Sequence, residues 1–182
     1  AAILKEFAGV DAFPICLQSQ DTEEIINIIK NIAPVFGGIN LEDIASPKCF
    51  EIESRLKSEM QIPVMHDDQW GAATVSLTAL INSLKLAGKS KDNVKVVLSG
   101  VGAAGVATAR LLIAYGIRNI IFIDSKGVIR SDRSDLNKEK IELINNTNNF
   151  NSKAVSLTDA LVGADVFIGL SKPGVLTKEM VQ

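Results

Sequence analysis

Two pairs of adjacent acids mark the 182-residue chain: Glu42-Asp43 after the apolar segment Phe36–Leu41, and Asp67-Asp68 after Gln61–Met65. Four carboxylates brought to one edge repel one another unless a cation sits between them or protons are taken up. Oxygen-only donors suit Mg²⁺ or Mn²⁺, and no Cys/His cluster argues for zinc. Solvated loop acids or helix caps are the bland alternative for both pairs. His66, the only histidine, precedes the second pair; an acid–base role and a structural one are both open to it. The third constellation is KVVLSGVGAAG, residues 95–105, in which Gly100, Gly102 and Gly105 follow an apolar run. In that context Gly100 permits a tight turn, Gly102 lets the backbone approach a pyrophosphate, and Gly105 lets helix pack closely on strand. Ala103 and Ala104 lie between them, where the N–H groups of a helix start face an anion. Asp124, 19 residues past Gly105, heads the triplet Asp124-Ser125-Lys126. An acid there accepts from adenine ribose hydroxyls and repels the 2′-phosphate of NADP, whereas Lys126 offers a countercharge, so the choice between NAD and NADP stays open. The alternative for the glycines is a structural strand–turn–helix without ligand.

Alternating elements must position these groups. Phe13–Leu17 reads as a buried strand. Asp21 with Glu24 has capping-box spacing and opens a helix whose stripe is Ile25, Ile28, Ile29 and Ile32. Pro34 stops it, and Phe36–Leu41 is the next strand. Ser46-Pro47 opens a helix burying Cys49, Ile52, Leu56 and Met60. Gln61–Met65 is a short strand with His66–Gln69 at its carboxyl end. A long helix buries Leu77, Leu80, Ile81 and Leu84 and stops at Gly88. Val94–Leu98, Asn119–Ile123 and Asp165–Leu170 read as strands. Gly100–Ala114, Leu136–Ile144 and Ser156–Val162 read as helices, with a polar loop at Asn145–Asn151 and a helix starting at Thr177. This alternation argues a doubly wound parallel sheet covered on both faces.

Length near one domain of about 150 residues, with 47% hydrophobic and 22% charged residues, describes a globular α/β chain rather than a disordered one. A net charge of −2 lacks the basic excess that nucleic acid requires. No segment reaches the roughly 20 apolar residues of a membrane span. Two cysteines, Cys16 and Cys49, cannot make a disulfide framework, and each sits in an apolar run as core cysteines do. The expectation is a soluble, cytoplasmic protein. Trp70 packs over the cleft or in the core, and Lys5 and Glu6 read as a solvated pair. Both ends fall inside elements, as in an excerpt of a longer chain.

Six segments carry a family resemblance: KEFAGVDAFPICL (5–17), FGGINLEDI (36–44), PVMHDDQWG (63–71), LSGVGAAGVATARLL (98–112), IDSKG (123–127) and GADVFIGLSKPGVLT (163–177). In this order, with short gaps, they resemble the malic enzymes, particularly the short bacterial-type form. The resemblance implies a Rossmann-type dinucleotide-binding domain at residues 65–182, preceded at 1–64 by part of a substrate-side domain. It also implies oxidative decarboxylation of (S)-malate to pyruvate and CO₂ with NAD or NADP and Mg²⁺ or Mn²⁺. Family metal ligands match Glu42, Asp43 and Asp68, and the active-site aspartate matches Asp67. The dinucleotide glycines match Gly100, Gly102 and Gly105, with Asp124 on the ribose, and Ala103, Ala104, Ser125 and Lys126 beside them are expected cofactor contacts. A small-molecule substrate and a homodimer or larger homo-oligomer go with it, and neither nucleic acid nor membrane. The family's catalytic lysine belongs just upstream of Ala1, its tyrosine further upstream, and its malate-holding asparagines beyond Gln182. Trp70 stands where the family commonly has His, and Ser99-Gly100-Val101-Gly102 where it often has N-G-A-G. A metal-free dehydrogenase of another small acid and a non-catalytic nucleotide sensor are the competing readings.

Overall fold

The computed structural model describes residues 1–148 and 153–181. Helix α1 (Ala2–Ala8) buries none of its residues. Helix α2 (Thr22–Ile32) starts as its sequence requires: the Asp21 carboxylate accepts from the Glu24 N–H at 2.9 Å. Glu24 does not return the bond; its carboxylate takes the Ser19 hydroxyl instead. Ile25, Ile26 and Ile29 form the buried stripe. Pro34 ends the helix within a 3₁₀ turn, Ala33–Val35.

Strand β1 (Ile39–Leu41), helix α3 (Lys48–Glu59) and strand β2 (Val64–His66) form a unit in which β1 and β2 pair in parallel, Leu41 opposite His66. Helix α4 (Asp67–Ala87) follows β2 without a linker and ends at Gly88, whose φ of +62° suits glycine. The second unit contains β3 (Val96–Ser99), α5 (Ala103–Tyr115), β4 (Ile120–Asp124), β5 (Gly127–Val128), α6 (Lys138–Asn145), α7 (Leu157–Leu161) and β6 (Val166–Gly169). A final turn of helix, α8, covers Lys178–Val181. The second sheet has the order β5-β4-β3-β6, with β4, β3 and β6 parallel and β5 an antiparallel edge. All four residues of β3 are buried, as a central parallel strand covered on both faces must be.

Helix α3 joins two cores. Its Ile52 and Leu56 pack with Ile25, Ile26, Ile29 and Val64, while Cys49 and Phe50 pack with Leu80, Leu98, Leu112 and Phe122 of the larger unit. A third cluster lies under α7, around Val97, Ile121 and Ala160.

Several expectations are corrected. One parallel sheet becomes two sheets, because among the described residues β1 and β2 pair only with each other. Residues 13–17 form no strand: no neighbour supplies a ladder, and Phe13 and Ile15 face solvent. Cys16 is accordingly exposed, while Cys49 is fully buried. Lys5 and Glu6 are both exposed, as solvated charges are, and Lys5 reaches Asp11 at 2.7 Å. Pro47 is the N-cap of α3 and Ser46 makes no capping bond. The glycine-turn helix begins at Ala103 rather than Gly100, since Gly102 is its extended N-cap. Of the expected loop Asn145–Asn151, Asn145 ends α6, and residues 149–151 lie outside the described residues.

Gly100 and Gly105 are demanded by the backbone itself. Gly100 has φ +102°, and a Cβ on Gly105 would stand 1.8 Å from the Gly100 carbonyl oxygen. Gly102 is different: its Cβ would meet only Ser46 Oγ, at 3.9 Å. Gly105→Ala is therefore expected to destabilise by more than roughly 3 kcal/mol, because backbone must move. Gly102→Ala should stay within about 1 kcal/mol of the parent. Urea denaturation of both variants checks the contrast; equal losses would contradict it.

Candidate active site

The parallel pairing of β1 with β2 sets both acid pairs at one edge. Asp43 adopts φ +58° just past β1, a left-handed turn that aspartate tolerates better than most residues. Its N–H then donates to Asp68 Oδ2 at 2.8 Å. Asp67 and Asp68 form the first turn of α4, where the helix dipole favours negative charge. The Asp67 carboxylate folds back over the next turn, so that a Cβ on Gly71 would meet its Oδ1 at 2.7 Å. Gly71 thus leaves room for the acid. Glu42 and Asp43 are exposed.

The four acids share an edge without closing on a point. Among the described residues, no three His, Cys, Asp or Glu side chains are gathered closely enough to hold a metal as they stand. Asp68 accepts from the Asp43 amide. The donor set still fits a hard cation. It is all oxygen, Glu42 and Asp43 face solvent, and Asp43 already touches Asp68 through its backbone. His66 is fully buried; its Nε2 lies 3.2 Å from Asp68 Oδ2 but out of line, so neither ring nitrogen is hydrogen-bonded among the described residues.

An open cleft of about 520 Å³ places the acids opposite the glycine turn, lined by Asp67, Asp68 and Gly71 on one side and Gly102–Gly105 on the other. The first N–H groups of α5 have no intrahelical partner and point out of its N-terminus. Gly102 has an unfilled space where a side chain would sit, which is the shape a close-approaching phosphate needs. Ser46, which the sequence suggests only as a helix cap, has its hydroxyl at this turn. Leu170 follows β6 and lines the same cleft; a second one of about 390 Å³ is formed by residues 171–176 and the end of β6. Cys49 takes no part, since burial pushes its thiol up to about 11.

Asp124 ends β4, away from the acids. Its Oδ1 accepts from Lys126 N–H and Arg133 Nη1, each at 2.9 Å. Oδ2 accepts from Arg133 Nη2 at 3.0 Å and Lys140 Nζ at 2.7 Å. A carboxylate has about four acceptor sites, so all are occupied, and a ribose hydroxyl has to displace a donor. The expected free acid is thus a neutralised one. Arg133 and Lys140 escaped sequence reading because they come from a loop and a helix beyond the motif. The pairs Arg130/Asp132 and Arg133/Asp135 in RSDRSD were the available signal. Lys126 turns to Asp135 at 2.8 Å.

A family model described as the malic enzyme NAD-binding domain matches residues 70–182, and one for the malic enzyme N-terminal domain matches residues 1–57. An NAD-dependent malic enzyme of Geobacillus stearothermophilus is 57% identical over 182 residues, covering 100% of this chain and 38% of that protein. An NADP-dependent malic enzyme of Haemophilus influenzae is 43% identical over 183 residues, covering 99% of this chain and 24% of that protein. The crystal structure of an NAD-dependent malic enzyme from Thermotoga maritima superposes with a TM-score of 0.93 at 45% identity, over 98% of this chain and 48% of that one. The chain spans less than half the length of each.

Burial pushes the Asp124 carboxyl up, but Arg133, Lys140 and the Lys126 amide outweigh it and leave it below the usual carboxylate range. Hydrogen bonds from Arg133 and then Lys126 hold Asp135 well below that range too. A depressed carboxyl contributes stability that is complete above its unfolded pKa, about 3.9, and is lost as pH falls through the folded value. Arg133→Ala is expected to cost roughly 1.5–3 kcal/mol at pH 7 through the Asp124 contact. That difference should shrink steadily below about pH 4. Urea titrations at pH 7 and pH 3 measure it, and a difference independent of pH would refute the role given to Asp124.

Proposed function

The chain belongs to the malic enzyme family, and from this we propose that it supplies the cofactor site and the metal acids of an enzyme that oxidises and decarboxylates (S)-malate to pyruvate and CO₂, reducing NAD or NADP. The observation that carries the reading is the cleft in which Asp67 and Asp68 face the side-chain-free Gly102 at the start of α5. Residues 65–182 are assigned to the dinucleotide-binding domain and residues 1–64 to the substrate and metal side. α3 belongs to both cores, so the two parts act as one surface.

The dinucleotide supplies the hydride acceptor, and Mg²⁺ or Mn²⁺ the Lewis acidity that steadies negative charge on the substrate oxygen as CO₂ leaves. The chain's own groups bind and orient. N–H groups of Ala103, Ala104 and Gly105 receive the pyrophosphate, with Gly102 giving the closest approach and Gly100 and Gly105 holding the turn. The Ser46 hydroxyl donates from the substrate side. Asp124, Ser125 and Lys126 receive the adenine ribose, Asp124 exchanging one of its present donors for a hydroxyl. Glu42, Asp43 and Asp68 would hold the cation through their carboxylate oxygens. Asp67, kept beside the cleft by Gly71, orients the substrate. The proposal includes a cytoplasmic homo-oligomer whose partner is malate or pyruvate, without nucleic acid or membrane. No helix among the described residues is long and apolar enough to cross a membrane.

Two outcomes test it. In the complete protein containing this chain, Gly102→Val should weaken NADH binding at least about 10-fold with the melting temperature nearly unchanged, since only the ligand needs that space. Malate-dependent NAD(P)H formation should require Mn²⁺ and vanish with chelator. Metal-independent turnover, or unchanged NADH affinity in the variant, would defeat the reading. Asp124→Ser releases Arg133 and Lys140 toward a 2′-phosphate, so the ratio of NADP to NAD affinity should rise about 10-fold or more. A constant ratio would place cofactor choice elsewhere.

A further inference from the structure

The apolar stripe of α3 is interrupted by Glu53, which is only 5% exposed. A carboxylate taken from water is costly unless donors replace the water it loses. Here four do. The His66 backbone N–H donates to Oε1 at 3.2 Å, the Trp70 indole N–H to the same oxygen at 2.8 Å, and the Gln69 amide to Oε2 at 3.1 Å. The Lys57 ammonium lies 2.7 Å from Oε1 and also 5.3 Å from the centroid of the Trp70 ring. The cation that neutralises Glu53 is therefore held by the same indole.

Stability alone gives little reason for such a charge. Well-packed apolar residues in place of a buried ion pair are often neutral or stabilising. The placement of the donors gives a better reason. Gln69 and Trp70 turn one face of the first turn of α4 toward Glu53, and the His66 N–H comes from the extended N-cap residue just before it. At about 100° per residue, Asp68 then lies almost opposite that face and Asp67 beside it. Three bonds to one carboxylate fix the rotation of the turn as well as its distance from α3. With that face held, the two aspartates must point at the glycine turn, where the cleft is.

We propose that Glu53 is a positioning residue for Asp67 and Asp68, acting with Lys57 and Trp70 to set the rotation of the turn that carries them. The inference rests on the reading of Asp68 as a cation ligand. It also gives Trp70 a task.

The test uses the complete protein containing this chain, with Mn²⁺ affinity read from the electron-spin signal of the free ion, NADH affinity from fluorescence, and melting temperature alongside. Glu53→Gln keeps volume and one acceptor oxygen but loses the charge; it is expected to weaken Mn²⁺ binding about 10-fold, the usual scale for residues that orient a ligand. Trp70→Phe removes a single donor and should weaken it about threefold. NADH affinity should stay within about twofold of the parent throughout, because the α5 turn is untouched. If Glu53→Gln fails to fold, Trp70→Phe decides. Lowered melting temperature with unchanged Mn²⁺ affinity, or equal losses of Mn²⁺ and NADH affinity, would overturn the inference by making the role merely structural. Asp68→Asn separates the two levels. Unchanged Mn²⁺ affinity in that variant overturns the cation reading itself. Lost affinity there, with parent-like Glu53→Gln and Trp70→Phe, overturns only the positioning role.

Discussion

A carboxylate buried on α3 constrains everything that faces the cleft. Glu53 is tolerable inside the protein only while its donors are in place, and three of those donors belong to one turn of chain, His66 to Trp70. That requirement joins β2 to α4 without a linker and seats α4 against α3. It also turns Asp67 and Asp68 away from the core that Leu56 and Val64 close beneath them. The pairing of Leu41 with His66 then brings Glu42 and Asp43 to the same edge. Elements far apart in sequence meet here through two short registers and one side chain.

What was legible in the chain was local. Asp21 reads as a cap because its side chain needs only the N–H three residues on, and Gly88 reads as a stop because the left-handed turn belongs to that residue alone. The helices of the dinucleotide unit follow from their spacing for the same reason. Strands are another matter, since a ladder depends on a neighbour the chain reaches later. Residues 13–17 have the composition of a strand and none of the partners, and Val128 joins an antiparallel edge two residues long that no pattern announces. Nothing in the alternation of elements says that β1 and β2 stand apart from β3, β4 and β6.

The site divides along the same line. Residue types and spacing pointed to the glycines and the acids, because those groups carry their chemistry wherever they lie. Their partners were invisible: Glu53 reads as one more polar position on a helix, and Ser46 as a cap. The glycine motif itself merges two requirements that look alike in sequence. Gly100 and Gly105 answer to backbone within the fold, whereas the space at Gly102 is enclosed by nothing but the Ser46 hydroxyl. Two of these glycines are explained by folding and one is left for a ligand.

Charge around Asp124 makes the same point about reading one residue alone. Asp124 by itself says NAD, because a carboxylate repels a second phosphate. In the fold it is joined by Arg133, Lys140, Lys126 and Asp135, three cations against two carboxylates. Each carboxylate is fully engaged, and depressed pKa values keep both ionised through neutral pH. The field around Asp124 is therefore that of the cluster, with a single positive charge in excess. A 2′-hydroxyl must break an existing bond to reach Asp124, while a 2′-phosphate finds cations whose pairing it can share. On the proposed placement of the cofactor, neither ligand is excluded by sign, and selectivity would lie in which donor gives way. Lys140, held to Asp124 by one bond, can leave at lower cost than Arg133, which is fixed by bidentate contacts to both Asp124 and Asp135.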